Sequence, residues 1–209
     1  MEKTLAQGLE ALALPCSDEI KHQLLAFIEL LHKWNRVYNL TAIRDKEKMV
    51  THHILDSVAV LPYINGVDIL DVGSGAGLPG IPLALMSTER QFVLIDSNAK
   101  KTRFLQQVKA ELGITNLSIE TARVEDFHSP KTFDTVLSRA FSSISQFLRA
   151  AGALCKPTGA IIAMKGEYPE AELQDIPPGY MVKAVLAIDV PFLDAQRHIV
   201  TIVPDSSRF

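Results

Sequence analysis

From Asn65-Gly66 onward the chain alternates short apolar runs with helix-length segments, and this alternation restricts the fold more than any other feature. The runs are Val67–Val72, Gln91–Ile95, Leu117–Thr121, Phe133–Ser138 and Gly159–Lys165; between them lie Leu78–Ser87, Asn98–Leu112 and Ser142–Cys155. Strand followed by helix followed by strand is the pattern of a parallel sheet covered on both faces. Two later runs, Met181–Ile188 and His198–Val203, flank the short segment Asp189–Gln196. A parallel crossover needs roughly a dozen residues or more, so the final pair is expected to be antiparallel.

The first 63 residues carry no strand pattern. Leu5, Leu9 and Leu12 recur at helical spacing before Pro15. Ser17-Asp18-Glu19 supplies a cap and first-turn acids, and Ile20, Leu24, Phe27, Leu31, Trp34 and Tyr38 form one apolar stripe behind it. A third run carries Val50, Ile54, Val58 and Leu61 before Pro62. The expected organisation is therefore an N-terminal helical cap, residues 1–63, on an α/β domain, residues 64–209.

At 209 residues the chain is long enough to bury a core without disulfide or metal staples. The longest charge-free stretch, Val72–Thr88, holds four Gly and two Pro and does not read as a membrane span. No apolar leader is visible after Met-Glu-Lys, and Cys16 and Cys155 lack metal or redox spacing; both suit a reducing cytoplasm. The formal charge is −3, so a polyanionic partner would have to be met by a local basic patch.

The first strand runs directly into Asp71-Val72-Gly73-Ser74-Gly75-Ala76-Gly77-Leu78-Pro79-Gly80. Glycines at such a turn let the backbone bend sharply and approach a ligand closely. Read from Gly75 the run is the dinucleotide fingerprint G-x-G-x-x-G; read from Asp71 it is D-x-G-x-G-x-G, the turn of S-adenosylmethionine (SAM) methyltransferases. Asp96 ends the second strand, where a carboxylate can accept from ribose hydroxyls of either cofactor. Three features favour SAM: Asp71 at the strand's end, placed to receive an amino group; the antiparallel last pair; and Arg123-Val124-Glu125-Asp126-Phe127, which offers backbone and an acid where an adenine would lie. The expected fold is thus Rossmann-like, a SAM-dependent methyltransferase sheet of seven mostly parallel strands with an antiparallel last strand. An NAD-dependent oxidoreductase is the first rival, and a non-catalytic RNA-binding or assembly protein on the same scaffold is the second.

His32-Lys33-Trp34-Asn35, Tyr38-Asn39-Leu40-Thr41, His53-Ile54-Leu55-Asp56-Ser57, the Asp71–Pro82 turn, Asp96-Ser97, Ser138-Arg139-Ala140-Phe141, Lys165-Gly166 and Arg197-His198 stand in that order. Together they closely resemble the RsmG (GidB) family of bacterial 16S ribosomal RNA guanine-N7 methyltransferases, over about residues 30–203. The resemblance implies methyl transfer from SAM to guanine 527 of 16S rRNA in the small ribosomal subunit. It also implies a SAM pocket lined by Gly73, Leu78, Val124, Glu125 and Arg139, to which the turn residues Asp71, Gly75 and Gly77 and the strand-end Asp96 are added here.

The residues narrow the acceptor atom separately. An exocyclic amine usually calls for an Asn/Asp acceptor after the fourth strand, where this chain has Ser138-Arg139-Ala140-Phe141. A pyrimidine carbon needs a thiolate, and Pro15-Cys16 precedes a helix rather than ending a core strand. Guanine N7 presents its lone pair without a proton to remove. Arg139, Arg123, Lys165 and Arg197 fall at or beside strand ends on the ligand-binding edge and are expected to orient guanine and phosphates. Lys100, Lys101, Arg103 and Lys109 lie on one acid-free helix segment, either collecting phosphates or simply solvated. Trp34 belongs with core packing, and His52 and Asp56 share a polar face without a third ligand, so no metal is expected. Nothing in the sequence requires more than a monomer.

Overall fold

A computed structural model describes residues 1–139 and 141–205; Ala140, part of the fourth-strand motif, lies outside the described residues. Seven strands form one sheet in the order β3-β2-β1-β4-β5-β7-β6. They are β1 (Asp68–Val72), β2 (Gln91–Asp96), β3 (Leu117–Thr121), β4 (Phe133–Ser138), β5 (Cys155–Lys165), β6 (Tyr180–Ile188) and β7 (Arg197–Pro204). β7 is antiparallel to both β5 and β6, between which it inserts, while the other neighbouring pairs are parallel. The short connection before β7 thus has the geometric consequence expected of it.

Neighbouring residues along each central strand send side chains to opposite faces. Ile69, Leu94, Leu137, Ile162 and Ile199 pack on one side, and Leu70, Ile95, Val136, Ile161 and Val200 on the other. α7 (Ile144–Ala151) covers the second face. α5 (Gly80–Met86) and α6 (Ala99–Leu112) cover the first, together with the N-terminal helices α1 (Glu2–Ala11) and α2 (Asp18–Tyr38). Leu24, Phe27 and Leu31 of α2 are fully buried in this core, and Phe27 and Trp34 meet Phe104 of α6 at 6.4 and 5.5 Å. Trp34 also stacks on Tyr38, so it is spent on packing. The cap and the sheet share one hydrophobic core.

The third helical run is not a plain α-helix. α3 (Lys46–Met49) passes through a π-helical turn, Val50–Leu55, into α4 (Asp56–Val58). The wider turn departs from the 3.6-residue period, and such turns recur at functional sites. β5 starts four residues before the expected Gly159. The register shifts between Phe133↔Cys155 and Thr135↔Ala160, so the strand absorbs Pro157 and Gly159 through an irregularity. A Cβ on Gly159 would stand 2.7 Å from the Asp134 carbonyl oxygen, which is why a glycine occupies the close approach.

Candidate active site

Sheet order reverses between β2-β1 and β4, and the glycine turn leaves β1 at this switch point, the place where open α/β sheets bind ligands. Two acids brace the turn. Asp71 Oδ2 accepts from the Gly80 amide at 3.0 Å, and Asp96 Oδ2 accepts from the Gly75 amide at 2.9 Å. Gly73 and Ser74 donate to the Ile95 carbonyl at 2.9 and 3.1 Å. Gly73 (φ 71°) and Gly77 (φ 83°) lie in the left-handed region but do different work. A Cβ on Gly73 would meet nothing within 4 Å, so the turn opens there; one on Gly77 would stand 2.5 Å from Ile81 and 2.8 Å from Leu105, so there the turn is closed by packing.

A cleft of about 300 Å³ lies beyond Gly73. Its walls include Val72, Ile95, Asp96, Ser97, Lys101, Arg123, Val124, Glu125 and Phe141. Val124 and Glu125 belong to a 3₁₀ turn, Val124–Asp126. Lys101 leans across to Asp96 Oδ2 at 3.8 Å, which gives one lysine of the basic helix a partner at the cleft. Asp96 holds the Gly75 and Asn98 amides, one on each oxygen, and retains a further lone pair on each for a diol. The space left by Gly73, the carboxylate at the end of β2 and the 3₁₀ turn together form a cradle of nucleoside dimensions.

Of the residues expected to hold the cofactor, Gly73, Asp96, Val124 and Glu125 stand on this wall. Gly75 sits at the rim, its Cβ position 4.0 Å from Lys101 Nζ. Gly77 and Leu78 are buried behind the turn. Asp71, expected to receive an amino group, is completely buried: its Oδ2 braces the turn, and its Oδ1 has no hydrogen-bond partner among the described residues. Burial pushes its pKa up to about 7, against hydrogen bonds from Ser74 and Gly80 that pull it down.

A second cavity, about 350 Å³, opens between the helical cap and the ends of β4, β5 and β7. Ile43, His52, His53, Asp56, Arg139, Met164, Lys165, Gly166 and Arg197 line it. Arg139, Lys165 and Arg197 therefore meet as expected, but Arg123 does not join them; it lines the first cleft, because β3 lies on the far side of β1. Arg139, expected in both roles, lines the second cavity.

The residue that organises this cavity is Asp56. Its buried carboxylate bridges two guanidiniums, accepting from Arg197 Nε at 2.7 Å and from Arg139 Nη1 at 3.3 Å. Burial lowers the Arg139 pKa, and the carboxylates of Asp56 and Asp71 pull it back up. Lys165 Nζ is held by both oxygens of Glu172 at 2.9 and 2.8 Å, and Glu172 also receives the Ile144 amide that opens α7. His53 Nδ1–H donates to the His52 carbonyl and its Nε2 accepts from the Thr41 hydroxyl at 2.9 Å. Burial first, then Arg139, drives its pKa down to about 4, so the ring is neutral at pH 7. Thr41, His53 and Asp56 were quoted within motifs but given no catalytic work by the sequence. The available signal was an acid set beside Ile54, Leu55 and Val58 in the third run.

Burial raises both thiols, Cys155 to about 12, so neither is an activated nucleophile. Among the described residues no cluster of His, Cys, Asp and Glu could hold a metal ion, and no helix is long and apolar enough to cross a membrane.

Sheet order, glycine turn and strand-end carboxylate together define the SAM-dependent methyltransferase class of fold. Solved structures agree. Magnesium protoporphyrin IX methyltransferase from Synechocystis PCC 6803 with bound SAM superimposes with a TM-score of 0.61 at 17% identity, covering 83% of this chain and 90% of the other. A SAM-dependent methyltransferase from Aquifex aeolicus gives 0.59 at 18% identity, covering 83% and 98%. Residues 20–200 match the family model for rRNA small subunit methyltransferase G (GidB). The chain is also 46% identical over 203 residues to ribosomal RNA small subunit methyltransferase G of Nitrosococcus oceani, spanning 97% of this chain and 95% of that relative. It belongs to the rRNA small subunit methyltransferase G family.

Proposed function

We propose that the protein transfers a methyl group from SAM to N7 of a guanine in 16S rRNA of the small ribosomal subunit, guanine 527 on the family resemblance. One observation carries the choice of atom: of the titratable side chains among the described residues lining the second cavity, all but His52 are already engaged, and His52, with its Nδ1 on Thr51, is partly exposed. His53 is neutral with both nitrogens engaged, Asp56 is bound by two guanidiniums, and Lys165 is neutralised by Glu172. Exocyclic amines and pyrimidine carbons need a base or a thiolate, whereas guanine N7 attacks with an in-plane lone pair.

SAM supplies an electrophilic methyl on a sulfonium centre. The chain's residues fit it: Asp96 would accept from the ribose hydroxyls, and Val124, Glu125 and the open space at Gly73 would hold the rest of the cofactor. Arg139, Arg197 and Lys165 orient the guanine and its phosphate, with Arg139 and Arg197 held by Asp56. Arg123 serves the cofactor side of the edge. Catalysis is then mainly alignment, which supplies ~7–11 kcal/mol in well-oriented systems. The protein acts as a monomer in this reading, and the site of action is the cytoplasm, where subunits are assembled.

Mapping 7-methylguanine in 16S rRNA from cells with and without the gene tests this reading. Loss of one modified guanine on deletion, restored by the purified protein with SAM, is the expected result. Unchanged rRNA methylation refutes it. Thermal stabilisation by NADH and none by S-adenosylhomocysteine would refute the cofactor.

A further inference from the structure

A third cavity, about 330 Å³, lies at the C-terminal end of α2, lined by His32, Asn35, Arg36, Asn39 and Arg44. We propose that it is a phosphate-binding subsite for the RNA strand on one side of the target guanine. This rests on an RNA substrate, and the closing experiment separates failure of the subsite from failure of that reading.

Charge is the first argument. The other cations of the second cavity are matched, Arg139 and Arg197 by Asp56 and Lys165 by Glu172, as is Lys101 by Asp96 at the cofactor cleft, where Arg123 pairs with no carboxylate among the described residues. Elsewhere on the cap, Lys46 pairs with Glu29, and Lys21 pairs with Asp18 at the other end of α2. Arg36 and Arg44 reach no carboxylate among the described residues, although the chain carries 24 acids. The negative end of the α2 dipole accounts for one cation in its last turn, but not for a second guanidinium brought in by a separate loop. Two guanidiniums facing one cavity without an anion repel each other, and a phosphate relieves that, since each Arg fork matches two of its oxygens.

Construction is the second argument. Asn35 is 6% exposed and spends its amide on the loop that carries Arg44: Oδ1 accepts from the Thr41 amide at 2.9 Å and Nδ2 donates to the Ile43 carbonyl at 3.3 Å. Asn39 turns the chain out of α2 at φ 50°, a left-handed position that Asn tolerates. Arg44 is thereby carried on a pinned loop.

Position is the third. The same loop forms a wall of the guanine cavity: Ile43 lines that cavity while Arg44, the next residue, lines this one. Thr41, pinned by Asn35 from one side, binds His53 on the other. A strand that places one base in the guanine cavity has its backbone at the rim, with the cation pair one loop-width away.

The test compares wild type with the double variant Arg36→Gln/Arg44→Gln and with Arg36→Lys/Arg44→Lys. Substrate is small ribosomal subunits from cells lacking the gene, in a tritiated-SAM assay at 50 and 200 mM salt. The Gln pair is expected to raise KM for subunits about tenfold or more, with kcat nearly unchanged. It should also flatten the dependence of log affinity on log salt by about 0.7 for each phosphate that is no longer neutralised. S-adenosylhomocysteine affinity and the unfolding midpoint should hold, because neither arginine makes a hydrogen bond or ion pair with the described residues of the fold. The Lys pair should recover most of the salt slope but only part of the affinity, because it keeps charge without the fork. Equal KM and equal salt slope for the Gln pair and wild type overturn the subsite while leaving the substrate reading intact. Absence of transfer by the wild type overturns both.

Discussion

Replacing Asp56 by Asn removes the carboxylate that pairs with two arginines of the second cavity. The carboxylate is 2% exposed and takes Arg197 at 2.7 Å and Arg139 at 3.3 Å. At an effective dielectric of about 20, each ion pair supplies roughly 5–6 kcal/mol of gross attraction. Most of that offsets desolvation, which costs several kcal/mol per ion, so removal of one partner from a buried pair costs about 3–5 kcal/mol. The Arg139 and Arg197 side chains are 26% and 22% exposed, so solvent recovers part of that cost. The Asn carbonyl still accepts one hydrogen bond, but its amide group then faces the other guanidinium, donor against donor. The expected destabilisation is about 2–3 kcal/mol, read as a lower urea midpoint at unchanged slope. Turnover should fall roughly a hundredfold, because both cationic side chains lose their orientation. Adding Arg197→Gln should return at least about 1 kcal/mol, since an uncompensated cation is removed. A stability loss under about 0.5 kcal/mol, with turnover within twofold of wild type, would refute the bridging role.

Gly73→Val should abolish S-adenosylhomocysteine binding by calorimetry while costing only about 1–2 kcal/mol of stability, since its side chain enters the open cleft at a strained φ of 71°; retained affinity would remove Gly73 from the cofactor wall. Asp71 and His53 make opposing contributions over one pH window. The Asp71 pKa is raised from 3.8 to about 7, so its contribution is fully present below pH 4 and is lost as pH rises through 7, by about 4 kcal/mol. The His53 pKa is lowered from 6.5 to about 4, so its contribution is present above pH 6.5 and is lost as pH falls through 4, by about 3 kcal/mol. Urea unfolding between pH 4 and 7 should therefore show stability rising with pH in Asp71→Asn relative to wild type and falling in His53→Gln; three parallel curves would refute both assignments.

The glycine turn, the alternation of strands with helices and the antiparallel last pair were legible in the chain because each depends on neighbours in sequence. The seven strands follow runs of alternating or continuous apolar residues, and the antiparallel β7 follows from a connection too short for a crossover. Irregularities were not legible. Nothing in the spacing of Val50, Ile54 and Val58 marks the π turn, since a single inserted residue leaves an apolar run apolar. The early start of β5 hides behind Pro157 and Gly159, residues that ordinarily argue against a strand. The position of Asp71 in the turn pattern was legible, and its complete burial was not.

Sequence alone determined that a glycine turn follows the first strand of an open sheet and that basic residues stand at strand ends, because backbone conformation and side-chain alternation are local properties. Which of those residues share a cavity was decided only by the fold. Asp56 meets Arg139 across 83 positions and Arg197 across 141, while Arg123, on the same edge, is carried to the other side of β1. Ion pairs of that separation are set by strand order and by the docking of the cap onto the sheet, and neither leaves a trace in the spacing of the residues it joins.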